Sequence, residues 1–361
     1  MADKTGVAED ERVLLRDSVR GFLDQHWPVE GAVERASDAA AIAALWQKLA
    51  GQGLTCLGFD PEEGGLREIL LAFEELGRAS CPAPLLGAVV ANLALRRCPD
   101  ATPLQLLCQE LHRGSAAVAV AFGAYDGDRA AGRAACADDA LSGRVAFVEG
   151  AASATHFLFF TDTPPGIALV PEGANGLTLI ATPGLAVPAL SEVSVTGIAA
   201  SVISLPAPEL VELAQVARIC SAARALGAAE RGFELALAHA KTRRQFGQFI
   251  GQFQAIQHKL ADCLIRLDGA RLTLDAAASY FDQDRADWRV FAAAAVAYAG
   301  PALRQLVLEA HHTMGAIGYA EEHEMPRHFR RIHGDLARFG GAPKARADLA
   351  DHLLGPYAVA R

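Results

Sequence analysis

A block of short apolar segments lies between two helical regions, and this order restricts the folds that the chain can adopt. Between 115 and 208 the apolar segments are short and are separated by glycine, proline, asparagine and aspartate. Such a pattern predicts a small antiparallel β domain or barrel. On both sides of the block, apolar residues recur at helical spacing. The sequence therefore predicts an α+β chain of the α–β–α type, with domains over 1–114, 115–208 and 209–361.

The helical regions divide into separate helices at glycine, proline and polar residues. In the first region we predict helices over about 10–26, 38–52, 69–79, 82–97 and 102–114. The helices of the last region are longer and together predict an antiparallel four-helix bundle, with spans of about 209–242, 253–282, 286–314 and 343–354.

Composition excludes several classes of protein. The chain is 52% hydrophobic and 21% charged, which is typical of a globular protein, and its net charge of −9 argues against a nucleic-acid partner. The charged N-terminus does not resemble a signal peptide, and no run of about 18 apolar residues predicts a membrane span. Seven dispersed cysteines without a CxxC pair argue against zinc and disulfides and favour the cytoplasm.

The stretch KTRRQFGQFIGQFQAIQHKLADC, residues 241–263, combines two helices with a polar loop. One helix is predicted to end near Arg243, and the next is predicted to begin near Gln254. Arg243 and Arg244 then lie at a helix C-terminus, where the helix dipole favours cations. An arginine beside loop amides can also hold a diphosphate. A capped helix and a loop without a ligand remain the alternative interpretation.

This stretch resembles the signature R-x-x-FG-x-x-I-x-x-FQ-x-x-Q-x-x-LAD of the acyl-CoA dehydrogenase family, whose members use FAD. In that family the segment binds the FAD of the neighbouring subunit. The resemblance implies that Arg243 binds the pyrophosphate. It also implies contacts to the ribityl and adenine portions from Gln245, Phe246, Ile250, Phe253 and Gln254.

A second match lies in HHTMGAIGYAEEHEMPRHFRR, residues 311–331, where the family has G-G-x-G-Y/F after a helix end. Gly315 and Gly318 match this motif, and Ala316 replaces its second glycine. His312 aligns where the family often has a glutamine that contacts the flavin. The resemblance implies that His312, Gly315 and Gly318 bind the cofactor. The two adjacent histidines do not share a helix face, so we predict no metal site.

The N-terminal segments follow the family order as well. ERVLLRDSVRGFL, LWQKLAGQGLTCLGF, PEEGGL and FEELGRASCPAPLL occur in the sequence in the arrangement that the family shows. The resemblance thus covers almost the whole chain and implies the same α–β–α fold that the residue pattern predicts.

The catalytic base of the family is not found in this chain. The reaction removes an α-proton and passes the β-hydride to the flavin, so it needs a carboxylate in a water-poor cleft. The position of the usual glutamate is Phe339 or Gly340, and the alternative position is Ala217 or Arg224. None is a carboxylate, so we predict no catalytic residue here. We expect Arg224 to be a surface or interface arginine, or to pair with a partner subunit or with CoA phosphate.

The β region also departs from the family. AFGAYDGD, residues 121–128, replaces the T-E-P-x-x-G-S-D loop that lies along the flavin and substrate. Asp126 and Asp128 are predicted to be turn residues. The flavin-ring half of the site is therefore expected to be altered, whereas the ADP half is expected to be intact.

A charged turn relates the chain to a bacterial subgroup of the family. The turn resembles a W-E-H-D…RR variant of the family motif, and Glu321 stands in place of the tryptophan. The matching residues are Glu322, His323, Glu324, Arg330 and Arg331. That subgroup is linked to CoA esters of steroid side chains and rings, and often forms α2β2 tetramers in which one subunit has lost the base. A solvated charged turn is the alternative interpretation.

Together these features predict the base-lacking subunit of an FAD-dependent acyl-CoA dehydrogenase. The expected partners are an acyl-CoA substrate, a second subunit or another copy of the chain, and an electron acceptor flavoprotein. We expect Gly340 and Gly341 to leave room for a bulky polycyclic acyl group in the bundle that the subunits share. One alternative is a self-sufficient homo-oligomer with a relocated base at Glu230 or Asp335, both of which we expect to be surface charges. Another is a structural subunit without catalysis.

Overall fold

The computed structural model describes residues 8–182, 184 and 189–355, except for the side chains of Val33 and Arg129. It confirms the α–β–α order. Six helices form the N-terminal region: α1 (Glu9–His26), α2 (Ala32–Arg35), α3 (Ala39–Gly51), α4 (Leu66–Arg78), α5 (Leu85–Arg97) and α6 (Thr102–His112).

Helix α4 lies in the middle of the molecule, and polar groups from two directions fix its first turn. The Glu68 carboxylate accepts the amide proton of Gly65 at 2.6 Å, while the Asp282 carboxylate accepts that of Leu66 at 2.6 Å. These contacts satisfy amides that have no partner inside the helix. Nearly all of α4 is buried, because it packs between α1 and the C-terminal helices.

The central strands form one eight-stranded sheet with the order β6-β7-β3-β2-β4-β5-β8, and β1 pairs with β4. The strands are β1 (Val118–Ala121), β2 (Gly132–Ala137), β3 (Ala140–Glu149), β4 (His156–Asp162), β5 (Pro165–Pro171), β6 (Leu177–Thr182), β7 (Leu190–Ala199) and β8 (Val202–Ser204). Strand β4 runs parallel to β1 and β2, so the sheet is mixed. The prediction of an antiparallel domain was therefore wrong for these two strand pairs. We did not predict β2 and β7, whose small and polar residues interrupt the apolar pattern.

Four long C-terminal helices agree with the predicted ones, and two further elements lie between them. The long helices are α7 (Ala207–Thr242), α8 (Gln254–Asp282), α9 (Trp288–Met314) and α11 (Gly341–Leu354). A small hairpin, β9 (Arg244–Gln245) and β10 (Gln248–Phe249), connects α7 to α8. Helix α10 (Met325–Asp335) was not predicted, because its many arginines and histidines interrupt the apolar periodicity by which a helix is recognised in a sequence.

One helical segment, Trp288–Tyr319, is long and apolar enough to span a membrane by length and composition. Its most apolar window has a mean hydropathy of 1.4, and 56% of that window is buried inside the protein. Helix α9, which makes up most of the segment, packs against α7, α8 and α11, so the bundle core accounts for much of its apolar character.

Helices α4 and α7 cross at two glycines that allow their backbones to touch. A Cβ atom added to Gly77 would lie 1.8 Å from the carbonyl oxygen of Arg224. A Cβ added to Gly227 would lie 1.8 Å from the carbonyl oxygen of Glu74. Since neither backbone can move without disturbing the surrounding core, both positions require glycine. The crossing thereby fixes where the middle of α7 lies relative to the N-terminal helices.

This crossing predicts a large difference between two glycine substitutions. Gly227→Ala should lower the free energy of unfolding by about 1–3 kcal/mol or more, because the methyl group overlaps a backbone carbonyl. The matched control is Gly21→Ala on α1, where an added Cβ meets nothing within 4 Å. There alanine should stabilise the helix by up to about 1 kcal/mol. Denaturant unfolding of both variants tests this, and equal effects would show that the close crossing is not real.

Candidate functional site

The segment that carries the family signature forms a hairpin that projects from the end of α7. The Arg243 amide donates to the carbonyl oxygen of His239 at 2.8 Å, and the Arg243 carbonyl accepts the amide proton of Ile250 at 2.9 Å. These bonds close the base of the hairpin against the helix. Gly251 lies there as well, and an added Cβ would be 2.9 Å from the carbonyl oxygen of Ala240.

The tip of the hairpin exposes an aromatic side chain. Phe246 and Gly247 occupy the turn with φ values of 52° and 83°, as a tight hairpin turn requires. A phenylalanine rarely adopts such a backbone angle, and this one is 92% exposed. An exposed aromatic residue in an uncommon conformation is typical of a contact with another molecule.

The predicted cofactor-binding residues of the hairpin divide into two groups. Arg243, Gln245 and Gln254 are exposed like Phe246, whereas Ile250 and Phe253 are half-buried at the hairpin base. The Phe253 ring lies 6.2 Å from that of Phe246 in an edge-to-face arrangement. The structure therefore places these residues on one hairpin, which carries cationic, amide and aromatic side chains. Their contact with FAD stays a prediction.

The second predicted group lies where α9 ends. His312 is exposed beside Glu309, Gly315 ends the helix with a φ of 63°, and Gly318 is buried. The neighbouring His311 is buried, and burial lowers its pKa; its Nδ1 donates to the Val307 carbonyl oxygen at 3.0 Å.

Both groups lie at the same end of the bundle. The Nζ of Lys259, near the start of α8, lies 2.7 Å from the Glu309 carboxylate, near the end of α9. The hairpin that precedes α8 is therefore at the same end of the bundle as Gly315 and Gly318, as a shared ligand would require. The pKa of His239, one helical turn before Arg243, is lowered by burial and then by the charges of Arg243 and His323.

Both candidate positions for the alternative base, Ala217 and Arg224, are buried, and Arg224 is the centre of an ionic cluster. Arg224 is only 1% exposed. Its guanidinium donates to both oxygens of Asp335, at 2.9 and 2.6 Å, and to both oxygens of Glu149, at 2.6 and 2.8 Å. Arg338 also donates to Glu149. We name Arg224, Glu149, Asp335 and Arg338 the ionic cluster.

The predicted surface positions of Arg224 and Asp335 were wrong. Arg224 was expected at the surface or at an interface, but it is buried inside the chain and pairs with carboxylates of its own chain. Asp335 was expected to be a surface charge, but it is buried as one of those partners. Glu230, the other proposed relocated base, is half-buried, and Arg271 donates to it at 3.0 Å.

The charges of the cluster determine how its acid groups titrate. Burial alone would raise the pKa of Glu149, but the charge and hydrogen bonds of Arg224, together with Arg338, lower it to about 2. Burial tends to lower the pKa of Arg224, whereas its two carboxylate partners raise it well above the ordinary value. Glu149 and Arg224 are therefore both charged at neutral pH.

The position of the usual base, Phe339, is filled by aromatic packing. Phe339 is 2% exposed, and its ring lies 5.1 Å from Phe122, which in turn lies 5.0 Å from Phe160. The cavity beside Glu149 and Arg338 measures about 10 Å³, and the one between Phe339 and α7 about 190 Å³.

Gly340 and Gly341 serve a turn and do not open a pocket. Their φ values are 69° and 55°, and a Cβ added to Gly341 would lie 2.8 Å from the carbonyl oxygen of Leu336. Within the described residues these two glycines therefore shape the backbone, and the expected room for a polycyclic acyl group in the bundle shared between subunits stays a prediction.

The remaining turn residues fulfil structural roles. Asp128 caps a short 3₁₀ turn by accepting the Ala130 amide proton at 2.9 Å, which agrees with the prediction. Asp126 lies in the turn but is buried, and burial raises the pKa of its carboxyl group.

The charged turn at 321–324 is only partly solvated. Glu321 and Glu322 are exposed, whereas Glu324 is half-buried and pairs with Arg231 and His328. Burial would raise the pKa of Glu324, but hydrogen bonds from His328 and Arg231 lower it to about 2. Within the described ranges, no group of three or more His, Cys, Asp or Glu side chains could hold a metal ion.

Comparison with known proteins defines the family. The model for "Acyl-CoA dehydrogenase, N-terminal domain" matches residues 9–98, and that for "Acyl-CoA dehydrogenase, C-terminal domain" matches residues 210–352. The chain therefore belongs to the acyl-CoA dehydrogenase family of oxidoreductases. It is 31% identical over 336 residues to the acyl-CoA dehydrogenase IpdE2 of Mycobacterium tuberculosis, across 90% of this chain and 92% of that protein.

Solved structures agree with this assignment. A structure described as the "Tcur3481-Tcur3483 steroid ACAD G363A variant" matches with a TM-score of 0.86 and 27% identity, over 97% of this chain and 99% of that one. The ChsE4-ChsE5 complex from Mycobacterium tuberculosis matches in fold with a TM-score of 0.83 and 23% identity, over 96% of this chain and 98% of that one.

Sequence reasoning did not identify Glu149 and Arg338 as members of the cluster. One signal was available, because Arg224 stands in ARICSAARALG, where the surrounding helix is apolar on all sides. A helix of that kind is buried, and a buried arginine needs carboxylate partners. The identity of those partners could not be predicted, since one lies 75 residues before and the other 111 residues after Arg224.

Removing the central arginine should destabilise the chain strongly. Arg224→Met removes the cation that pairs with Asp335 and one of the two that pair with Glu149, so we expect a loss of about 3–5 kcal/mol in the free energy of unfolding. The control is Arg133→Met, whose side chain is 76% exposed and lies 3.7 Å from Asp162. That surface pair should contribute less than about 1 kcal/mol. Denaturant unfolding distinguishes the two, and a small loss for Arg224→Met would contradict a buried cluster.

The acid sensitivity of folding should depend on Glu149. Its pKa of about 2 in the folded protein lies below the value of about 4.3 for an unperturbed glutamate. The stabilisation is therefore complete above about pH 4.3 and is lost as the pH falls towards 2. Glu149→Gln should be less stable than wild type at pH 7 but should lose less stability below pH 4.5. Unfolding midpoints measured across this range test the shift, with exposed Glu322→Gln expected to follow the wild-type profile.

Proposed function

We propose that this chain is the base-lacking subunit of an FAD-dependent acyl-CoA dehydrogenase, and that a partner subunit supplies the catalytic carboxylate. One observation carries the proposal: the hairpin exposes Arg243 at its base and Phe246 at its tip, while none of the residues at the two base positions is a carboxylate. An exposed aromatic side chain beside an exposed arginine is typical of a binding surface.

The exposed residues fit the ADP half of FAD. The Arg243 guanidinium is exposed, and within the described residues it has no recorded ion pair, so it is available to a pyrophosphate. The amide side chains of Gln245 and Gln254 can hydrogen-bond ribose or adenine, and Phe246 offers an aromatic face. Bound FAD supplies the hydride acceptor for the β-carbon of the thioester.

The roles of the partner follow from what this chain lacks. Proton removal at the α-carbon requires a carboxylate beside the thioester, and the described residues at the two family positions provide none. Both relocated candidates, Glu230 and Asp335, accept hydrogen bonds from arginines of this chain, so those oxygens are already engaged and do not face a substrate. The self-sufficient homo-oligomer therefore receives less support than an α2β2 assembly.

The substrate class is inferred from relatives. One similar structure is named a steroid ACAD made of two differently named chains, and another is a complex of ChsE4 with ChsE5. We propose a bulky, steroid-like acyl-CoA as the substrate, an electron acceptor flavoprotein as the oxidant of the reduced flavin, and the cytoplasm as the location.

Neighbouring arginines in the hairpin provide the test. The chain is co-expressed with its partner subunit, and the FAD content of the purified complex is measured from its visible spectrum. Arg243→Ala should weaken FAD binding about 10- to 100-fold, because a charge-assisted hydrogen bond contributes about 1.5–3 kcal/mol. Arg244→Ala is the control, since the Arg244 guanidinium stacks on Phe249 at 4.7 Å within the hairpin.

The outcomes separate the candidate functions. A yellow complex that loses flavin with Arg243→Ala and keeps it with Arg244→Ala supports the proposal. A colourless complex would indicate a structural subunit instead. If the isolated chain is yellow and oxidises an acyl-CoA with an artificial acceptor, it is a self-sufficient enzyme and the proposal is wrong.

A further inference from the structure

We infer that the outer edge of β6 joins two copies of this chain by antiparallel strand pairing centred on Ile180. Strand β6 (Leu177–Thr182) is the last strand on one side of the sheet, and among the described strands it pairs with β7 alone. The proposed function assigns no role to this edge, because the hairpin at 244–249 belongs to the helical bundle and β6 belongs to the sheet.

The backbone groups of Leu179 and Ala181 point away from β7. In an antiparallel pair, residues that bond to the neighbouring strand alternate with residues whose backbone groups point outward. The Thr196 amide donates to the Gly176 carbonyl oxygen at 3.0 Å, so the even-numbered residues of β6 bond to β7. The Leu177 amide agrees with this alternation, because it donates to the preceding turn at 3.0 Å. Leu179 and Ala181 therefore present their amides and carbonyls at the edge of the sheet.

The edge lacks the features that usually protect an edge strand. Such strands are commonly short, bulged, or interrupted by charges and proline. Strand β6 has the sequence LTLIAT, without a charge or a proline, and it pairs with β7 in regular register over 6 residues. The strand at the opposite edge, β8, has only 3 residues. Strand β6 is therefore the edge that can accept another strand.

Both faces of β6 expose apolar side chains that an added strand would cover. Leu179 lies opposite the fully buried Val193 of β7, so it continues the core of the sheet outward, yet it is 43% exposed. Ile180 lies on the other face, opposite Glu192, and is 60% exposed. Covering these two side chains removes apolar surface from water, which favours the addition of a strand.

The free groups of β6 are arranged so that a second β6 can satisfy them. When a twofold axis passes through Ile180, Leu179 of each copy faces Ala181 of the other. Each of these pairs exchanges both of its N–H···O bonds, so every free amide and carbonyl of the two residues has a partner. Ile180 then faces Ile180 of the second copy directly. A symmetric contact of this kind is the commonest one between identical chains.

Charge also favours a second copy. The net charge of the chain is −9, so two copies repel each other where their acidic surfaces meet. Strand β6 has no charge, and Glu192, opposite it on β7, is paired with Arg144. Pairing of β6 with itself therefore brings no like charges together. Because the contact is much smaller than a stable interface of about 1,200–2,000 Å², we expect it to form and dissociate rapidly.

Cysteine cross-linking tests the position of the axis. Residues that face each other without hydrogen bonds in an antiparallel pair have Cα atoms about 4.5 Å apart, within the range of about 4.4–6.8 Å for a disulfide. The chain carrying Ile180→Cys is purified in complex with its partner subunit and treated with a mild oxidant. The matched control is Thr178→Cys, which is exposed on the same face of β6. The two Thr178 positions would lie more than about 13 Å apart, since four residues at about 3.3 Å each separate them along the strand.

Ile180→Cys should give a product of twice the mass of this chain that a reductant reverses, and Thr178→Cys should give no more of it than wild type. Equal cross-linking of the two variants, no cross-linking of Ile180→Cys, or a disulfide to the partner subunit would overturn the pairing. The FAD content should be the same in both variants and in wild type. A complex without FAD would contradict the proposed function and leave the pairing of β6 standing.

Sedimentation velocity at several concentrations provides a second measurement without new cysteines. The wild-type complex should form a larger species as its concentration rises. Ile180→Lys should abolish this species, because two ammonium groups would meet at the axis. Thr178→Lys should retain it, since its two charges lie further apart than the screening length of about 8 Å at physiological salt. Unchanged melting temperatures show that both variants fold, and a larger species that persists with Ile180→Lys would overturn the pairing.

Discussion

The double bidentate contact of Arg224 with Glu149 and Asp335 is the interaction on which the arrangement of this molecule depends. A guanidinium that is removed from water is stable only when carboxylates of the right geometry surround it. Here those carboxylates come from the sheet and from α10. The position of the sheet on the bundle is therefore set by charge pairing as well as by apolar packing.

The helix that carries this arginine also leads into the hairpin at 244–249, for which we propose nucleotide binding. Arg224 and Arg243 are 19 positions apart in the chain, which corresponds to roughly 28 Å along α7 at 1.5 Å per residue. The glycine crossing with α4 holds the middle of α7 in place. One helix thus carries the buried ionic cluster at its middle and the exposed hairpin at its C-terminal end. The two regions are therefore separate in space, and a change in one need not alter the other.

Much of the architecture could be predicted from the sequence. The long helices repeat apolar residues with helical spacing over many turns, so their existence was clear and their ends were wrong by only a few residues. The hairpin could be located because its glycine, arginine and aromatic residues occur at fixed spacing. Strands β2 and β7 were missed because residues such as Gly132, Ala135, Ser191 and Glu192 are not strand formers by composition.

The side chains that meet between the sheet and the bundle could not be predicted in the same way. Contacts between residues far apart in the chain hold them there, and neither Glu149 nor Asp335 is distinguishable in the sequence from a surface carboxylate. The turn at Gly340 and Gly341, whose backbone angles favour glycine, was not predicted either, because the two small residues were interpreted only as room for a ligand in the shared bundle. Small residues indicate a pocket only where their surroundings leave it open.

The most direct test of this account is the structure of the complex with FAD bound. The account predicts that the pyrophosphate lies within hydrogen-bond distance of Arg243 and that the flavin ring lies in the partner subunit. A hairpin that faces solvent without a nucleotide beside it, or a flavin ring in contact with Glu149 and Phe339, would contradict the account.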